Sequence, residues 1–318
     1  MANASVDLDG LGCYHAIHGL HGAWDPTLIY TTALPRFLDL FRRAGVRATF
    51  FVITSDLDRT EAVRALRQAV DEGHELASHT HTHPYNLRAL SDARILDELT
   101  RAEDALVRTT GVHPAGFRTP GYNVDTRILR LLTERGYLYD SSVFPCPPYY
   151  LAKAAVMGAL ALTGSPSRSA MTHPAALLAP LQPYRPSRWN FARPGDRKHS
   201  LPLWEIPMGV VPALRLPVIG TSLGALSPHL GQALVRAMMP GQRTLQLEFH
   251  GIDLIDHTDP GVSPALVARQ PDLRRAWLRR HDTFLAAFHA VHQAGYAWKT
   301  LADLARALDE DAGPIVLR

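Results

Sequence analysis

Apolar and polar positions follow two alternating rhythms along the front of the chain. Short runs rich in β-branched and aromatic residues at 4–8, 46–53, 75–78, 115–118 and 137–139 read as strands. Between them, residues 26–44, 60–71, 91–110 and 125–135 carry apolar positions at helical spacing, with Gly45, Gly73, Gly111 and Gly136 at or just past their ends. Residues 11–25 read as a loop holding His15, His18 and His21. The rhythm breaks after Pro145: seven prolines between residues 164 and 202 exclude a long helix there. Order returns with an apolar strand at 203–207, a helix at 228–239 and a strand at 244–249 that ends in His250. Helices at 272–294 and 301–308 flank a last short strand at 296–299. Strands alternating with helices predict a parallel α/β sheet or barrel, with its chemistry at the carboxyl ends of the strands.

Composition narrows the picture. The chain has 318 residues, 46% hydrophobic and 20% charged, which suits a soluble globular protein. A net charge of +3 gives no reason to expect a nucleic acid partner. Of 33 basic residues only Lys153, Lys198 and Lys299 are lysines. Cys13 and Cys146 are too few for a disulfide framework. A strand-like segment begins almost at the first residue, which leaves no room for an apolar targeting stretch and predicts a cytoplasmic location. The longest apolar run, 151–162 (LAKAAVMGALAL), contains a lysine and is too short to span a bilayer; it is either a core helix or one in peripheral contact with a membrane surface.

The densest chemistry lies at 73–87, GHELASHTHTHPYNL. In an extended strand His79 and His83 would stand about 13 Å apart, too far to share one metal ion at bond lengths of about 2 Å. A turn after Ala77 brings them within about 6 Å on one side and points His81 away. That makes H-x-x-x-H a candidate chelating pair, against the plainer reading of a polar loop rich in histidine. Other strand ends add to it. Asp9 is the candidate third ligand, in a set that leaves positions open for water and substrate. Asp7 is placed to take a proton, Arg118 to orient that carboxylate, and His250 to protonate a leaving amine. Taken singly, these residues also read as a turn, a surface ion pair and a core histidine.

Together these residues resemble the polysaccharide deacetylase superfamily, the NodB-like or family-four carbohydrate esterases. The double acidic motif appears as VDLDG, with Leu8 between the two aspartates; HTHTHP at 79–84 matches the metal-binding motif without gaps. RTPGY at 118–122 matches the arginine motif with its glycine and tyrosine in swapped order, YDSSVFP at 139–145 matches the fourth loosely, and LQLEFH supplies the histidine motif. The resemblance implies an incomplete, distorted (β/α) barrel of the NodB-like deacetylase type, as one catalytic domain over 1–318 with a long proline-rich insertion at about 146–202.

It also implies roles. Asp7 is the base, with Arg118 as its partner; Asp9, His79 and His83 are the ligands of one divalent metal, zinc first, with cobalt, iron, manganese or nickel as alternatives. His250 is the acid, helped by Asp140. A backbone N–H near Gly121–Tyr122 completes the oxyanion hole. His15, His18 and His21 sit in the loop after the first strand, which faces the site in this architecture, and read as substrate-binding or polar loop residues ahead of ligands of a second metal. The implied reaction is metal-dependent hydrolysis of an N-acyl group, acetyl or formyl, on an amino sugar or glycan, free or linked to a lipid or nucleotide carrier. Small non-sugar amides of the acetylpolyamine or ureide type are the alternative substrates, and a glycan-binding domain without catalysis is the alternative class. The insertion reads either as a wall that lengthens the substrate groove, with arginines for a phosphate, or as a flap over strands left open.

Overall fold

A computed structural model describes residues 1–162 and 167–312. The strands, in chain order, are β1 (Ala2–Asp7), β2 (Thr49–Val52), β3 (Glu75–Ser78), β4 (Gly116–Phe117), β5 (Tyr139–Asp140), β6 (Trp204–Glu205), the antiparallel pair β7 (Val210–Val211) and β8 (Leu216–Pro217), and β9 (Leu245–His250). The helices are α1 (Leu11–Ile17), α2 (Leu34–Ala44), α3 (Thr60–Asp71), α4 (Asp92–Thr110), α5 (Thr126–Glu134), α6 (Pro147–Leu162), α7 (Gly220–Gly224), α8 (Pro228–Met238), α9 (Pro264–Arg269), α10 (Trp277–Gln293) and α11 (Leu301–Ala312). Seven strands pair in parallel in the order β6-β5-β4-β3-β2-β1-β9 and curl into an open half-barrel, the expected distorted (β/α) fold.

Burial explains the elements. Every residue of β1 and β2 is buried, as expected of parallel strands covered on both faces. Phe37, Phe41, Phe249, Phe284 and Phe288 pack α2 and α10 onto β9 and its neighbours. α4 and α5 cover the other flank through Leu99, Ile128 and Leu132 against Phe117. Register sets the site: Asp7 stands level with His250 and Phe51, Val52 with Ser78, and Ser78 with Phe117.

Three regions differ from the sequence expectation. The stretch after β1 is a loop only from residue 18, because Leu11, Tyr14 and His15 are buried at helical spacing and form α1. The predicted helix over 26–44 begins as a π-helical turn, Ile29–Ala33, with Pro35, which lacks an N–H donor, close to the start of the regular helix. Residues 296–299 touch the sheet through a bridge between Trp298 and Ala2 rather than as a full strand.

The predicted excursion divides in two; its residues 163–166 lie outside the described residues. Residues 174–201 bury Ala176, Ala179, Phe191, Ala192 and Leu201 against the α4–α5 flank, which is the behaviour of a flap. The apolar run becomes α6, neither a core helix nor a membrane span: most of it is exposed, and Leu151, Val156 and Leu162 face solvent.

At β4 the sheet tolerates no side chain at Gly116, where a Cβ would lie 1.8 Å from the Tyr139 ring. Gly116→Ala is expected to lower unfolding free energy by about 1–3 kcal/mol, measured by denaturant titration, because Tyr139 must leave its packed position.

Candidate metal centre and active site

The turn after β3 carries the site. Ser78 is the last strand residue, and Thr80 and His83 then adopt left-handed backbone conformations at φ 68° and 57°. Such conformations are uncommon outside glycine, so the turn needs outside support. Glu98 of α4 supplies it: its carboxylate accepts from the backbone N–H groups of His81 (3.0 Å) and Thr82 (2.8 Å) and from the Thr82 hydroxyl (2.7 Å). The turn is therefore not helical, yet it brings the His79 and His83 rings to 4.8 Å between centroids. His81 points away. Arg101 donates to its Nε2 at 2.7 Å, and its Nδ1 lies 3.0 Å from the Thr54 hydroxyl.

Asp9 meets the pair. Its Oδ1 is 3.4 Å from Nε2 of both His79 and His83, and all three residues are buried. His79 Nδ1–H donates to the Arg118 carbonyl at 2.8 Å, which turns its Nε2 toward Asp9. Asp9 Oδ1 and His83 Nε2 are buried with no hydrogen-bond partner, an expensive arrangement unless something binds there. Burial would raise the Asp9 carboxyl, but the His83 and His79 imidazoles hold it well below the usual carboxylate range. Burial pushes the His83 imidazole down to about 4. An ionised carboxylate and imidazoles turned inward make a donor set suited to one divalent cation.

Asp7 lies beside this set without joining it, its Oδ2 4.0 Å from His79 Nε2. Its Oδ1 accepts from Arg118 Nη1 at 2.5 Å. Arg118 has no exposed surface; it also donates to Ser5 Oγ, Ser141 Oγ and the Ser141 carbonyl, and its guanidinium lies 4.1 Å over the Phe51 ring.

His250 arrives on β9, and here one expectation is corrected. Asp140 is bound by the Ser142 hydroxyl and amide and stands level with Glu205 on β6; the carboxylate that partners His250 is Glu248, 3.0 Å from Nδ1. The Tyr122 hydroxyl donates to Glu248 and lies 3.2 Å from His250 Nε2. Burial would lower the His250 pKa, but Glu248, followed by Asp7, Asp9 and Asp253, raises it to about 9. Glu248 was legible in principle, since residues i and i+2 of a strand share a face. Glu98 had no comparable signal.

The remaining candidates separate. The Tyr122 N–H donates to the Thr119 carbonyl at 3.1 Å inside the turn, and the Tyr122 hydroxyl reaches Glu248 and His250. Gly121 and His18 line the cavity over the site, His18 with its Nε2 2.9 Å from Gln270 Oε1. His15 is buried behind α1 against Trp24 and Ser263, outside that cavity. Cys13 Sγ lies 3.6 Å from His83 Nδ1, but burial, with Asp9 and Asp56, pushes its thiol well up, so it stays protonated. The cavity has a volume of about 390 Å³; Asp7, Asp9, His79 and His250 border it together with residues of α6.

Two outcomes follow for metal binding. His79→Ala and His83→Ala should abolish stoichiometric metal content measured by elemental analysis, while His81→Ala retains it. Glu98→Ala, which loosens the turn without removing a ligand, should weaken metal affinity by about 10- to 100-fold.

Residues 24–139 match the polysaccharide deacetylase family model. A peptidoglycan-N-acetylglucosamine deacetylase of Bacillus cereus is 26% identical over 113 residues, 36% of this chain and 39% of that protein. A chitin deacetylase of Colletotrichum lindemuthianum is 34% identical over 109 residues, 33% of this chain and 44% of that one. The chain thus matches less than half the length of either relative. Over its whole length it superposes on the crystal structure of a Mycobacterium smegmatis protein assigned to the polysaccharide deacetylases, covering 93% of that chain with a TM-score of 0.58 at 19% identity, a likeness of fold. The matched segment, about a third of the chain, carries the histidine turn and Arg118, the half-barrel adds Asp7, Asp9 and His250 around them, and residues 24–139 are thus similar to the polysaccharide deacetylase family.

Proposed function

We propose that this protein is a metal-dependent hydrolase that removes an N-acyl group from an amino sugar. The observation that carries the reading is the convergence of Asp9, His79 and His83 beside an arginine-held Asp7 and a carboxylate-held His250, with Asp7, Asp9, His79 and His250 bordering one cavity. Asp9, His79 and His83 would hold the ion, zinc first by its donor set, which when bound supplies Lewis acidity to the acyl carbonyl and to an attacking water.

The chain's own residues supply the rest. Arg118 holds Asp7 in place, with one carboxylate oxygen engaged and the other facing the metal ligands, where it takes the proton from the attacking water. His250, kept protonated by Glu248, gives a proton to the departing nitrogen. The presence of both a base and an acid favours catalysis over mere glycan binding. α6 rises along one side of the cavity, which suits a single acylated sugar or a chain end, free or carrier-linked, better than the middle of a polymer. The relatives' names point to acetylated aminoglycans. A panel of N-acetyl and N-formyl amino sugars beside acetylpolyamines tests the reading: turnover of the amides alone would assign the site to the second substrate class.

Asp7→Asn should retain metal and fold while losing turnover by about a hundredfold or more; loss of metal from Asp7→Asn and its retention in Asp9→Asn would reverse the two roles. His250 must carry its proton to act, so activity should fall as pH rises through about 9. Glu248→Gln removes the largest of the carboxylate interactions that raise this pKa, and the alkaline limb of kcat/KM should move to lower pH.

A further inference from the structure

Lys153 is a cation in the substrate cavity that the hydrolytic machinery does not use. It is one of three lysines in a chain that otherwise uses arginine for its basic side chains. α6 places it there. Tyr149 packs against Tyr122 and Phe144, which fixes the start of the helix over the site. One turn on, Lys153 lines the same cavity, followed on that side by Met157. Its Nζ donates to the Gly121 carbonyl at 3.3 Å. The same neighbourhood holds Tyr85: a Cβ built on Gly121 would lie 3.2 Å from the Tyr85 ring and 3.6 Å from Nζ. The Tyr85 ring in turn meets His83 edge-on at 4.6 Å between centroids. The ammonium therefore stands one side chain away from the metal-binding set.

No carboxylate lies within ion-pair distance of Lys153 among the described residues. Burial holds its pKa down to about 8, with no acidic group opposing the shift. An ammonium has three N–H donors, and one carbonyl engages only one of them. A cation in such surroundings is costly without an anionic partner. The arginines of the proline-rich segment are not that cavity's cations: Arg185, for example, pairs with Asp309 and lies over Trp204.

We propose that Lys153 recognises an anionic substituent of the substrate, so that the site prefers an N-acyl amino sugar bearing a phosphate or carboxylate over its neutral counterpart. The inference rests on the amino-sugar deacylase reading and names its substrate class. α6 then acts as a specificity element, holding the charge that selects the substrate on the wall of a cavity whose floor does the hydrolysis.

The test compares N-acetylglucosamine 1-phosphate, N-acetylmuramic acid and methyl N-acetylglucosaminide as substrates of the metal-loaded protein. The phosphate and carboxylate arms distinguish the two sources of negative charge. At least one anionic substrate should have the higher kcat/KM, by about 10- to 100-fold, the range for a hydrogen bond to a charged group. Lys153→Met should bring the anionic-to-neutral ratio close to one, and Lys153→Arg should keep part of the preference. An equal loss on all three substrates in Lys153→Met would mean that the lysine only braces the Gly121 turn, and would overturn the proposal. So would a wild-type protein without preference. If the wild type hydrolyses none of the three, the N-acetyl form of the deacylase reading fails by itself, and thermal shift with the same compounds decides the inference. Stabilisation by an anionic compound that is lost in Lys153→Met upholds anion recognition; no such difference overturns it.

Discussion

A guanidinium sealed from solvent is the point on which the site depends. Arg118 comes from β4, reaches the end of β1 at Asp7, and binds Ser5 and Ser141 on either side. A buried charge is tolerated only when its donors are met, and removing one partner typically costs about 3–5 kcal/mol. Here the donors are met by Ser5 and Asp7 of β1 and by Ser141 just after β5, so the guanidinium ties these two strands to the end of β4. The same residue's carbonyl orients His79. One arginine thus sets the candidate base with its side chain and a candidate ligand with its backbone.

A second carboxylate does for the histidine turn what Arg118 does for Asp7. The turn places two residues in left-handed conformations, which the backbone alone disfavours. Glu98 offsets this by taking three hydrogen bonds from residues 81 and 82. Both supports lie outside the metal-binding set. They show why a precise donor geometry needs neighbours with no direct part in the chemistry.

Above this rigid floor the chain varies. The stretch after β5 does two things, covering the α4–α5 flank with residues 174–201 and raising α6 beside the cavity. Residues 174–201 bury apolar side chains in that flank. The helix keeps most of its surface exposed, and its contribution is to the shape and charge of the cavity.

The sequence by itself determined the strand–helix rhythm, the parallel sheet and the strand ends at which chemistry collects, because burial on both faces leaves long apolar runs and glycines mark the helix ends. It also brought out Asp7, Asp9, His79, His83, Arg118 and His250, since each stands at a strand terminus in a spacing that chemistry uses. Partnerships were another matter. Asp140 was the companion of His250 implied by the resemblance, yet register sets it beside Glu205, and the companion is Glu248, two residues before His250 on the same face of β9. Whether Lys153 faced solvent or the cavity depended on how Tyr149 docks, and the support from Glu98 depended on where α4 packs. Hydrogen bonds between residues distant in sequence are decided by packing, and only the tertiary structure contains them.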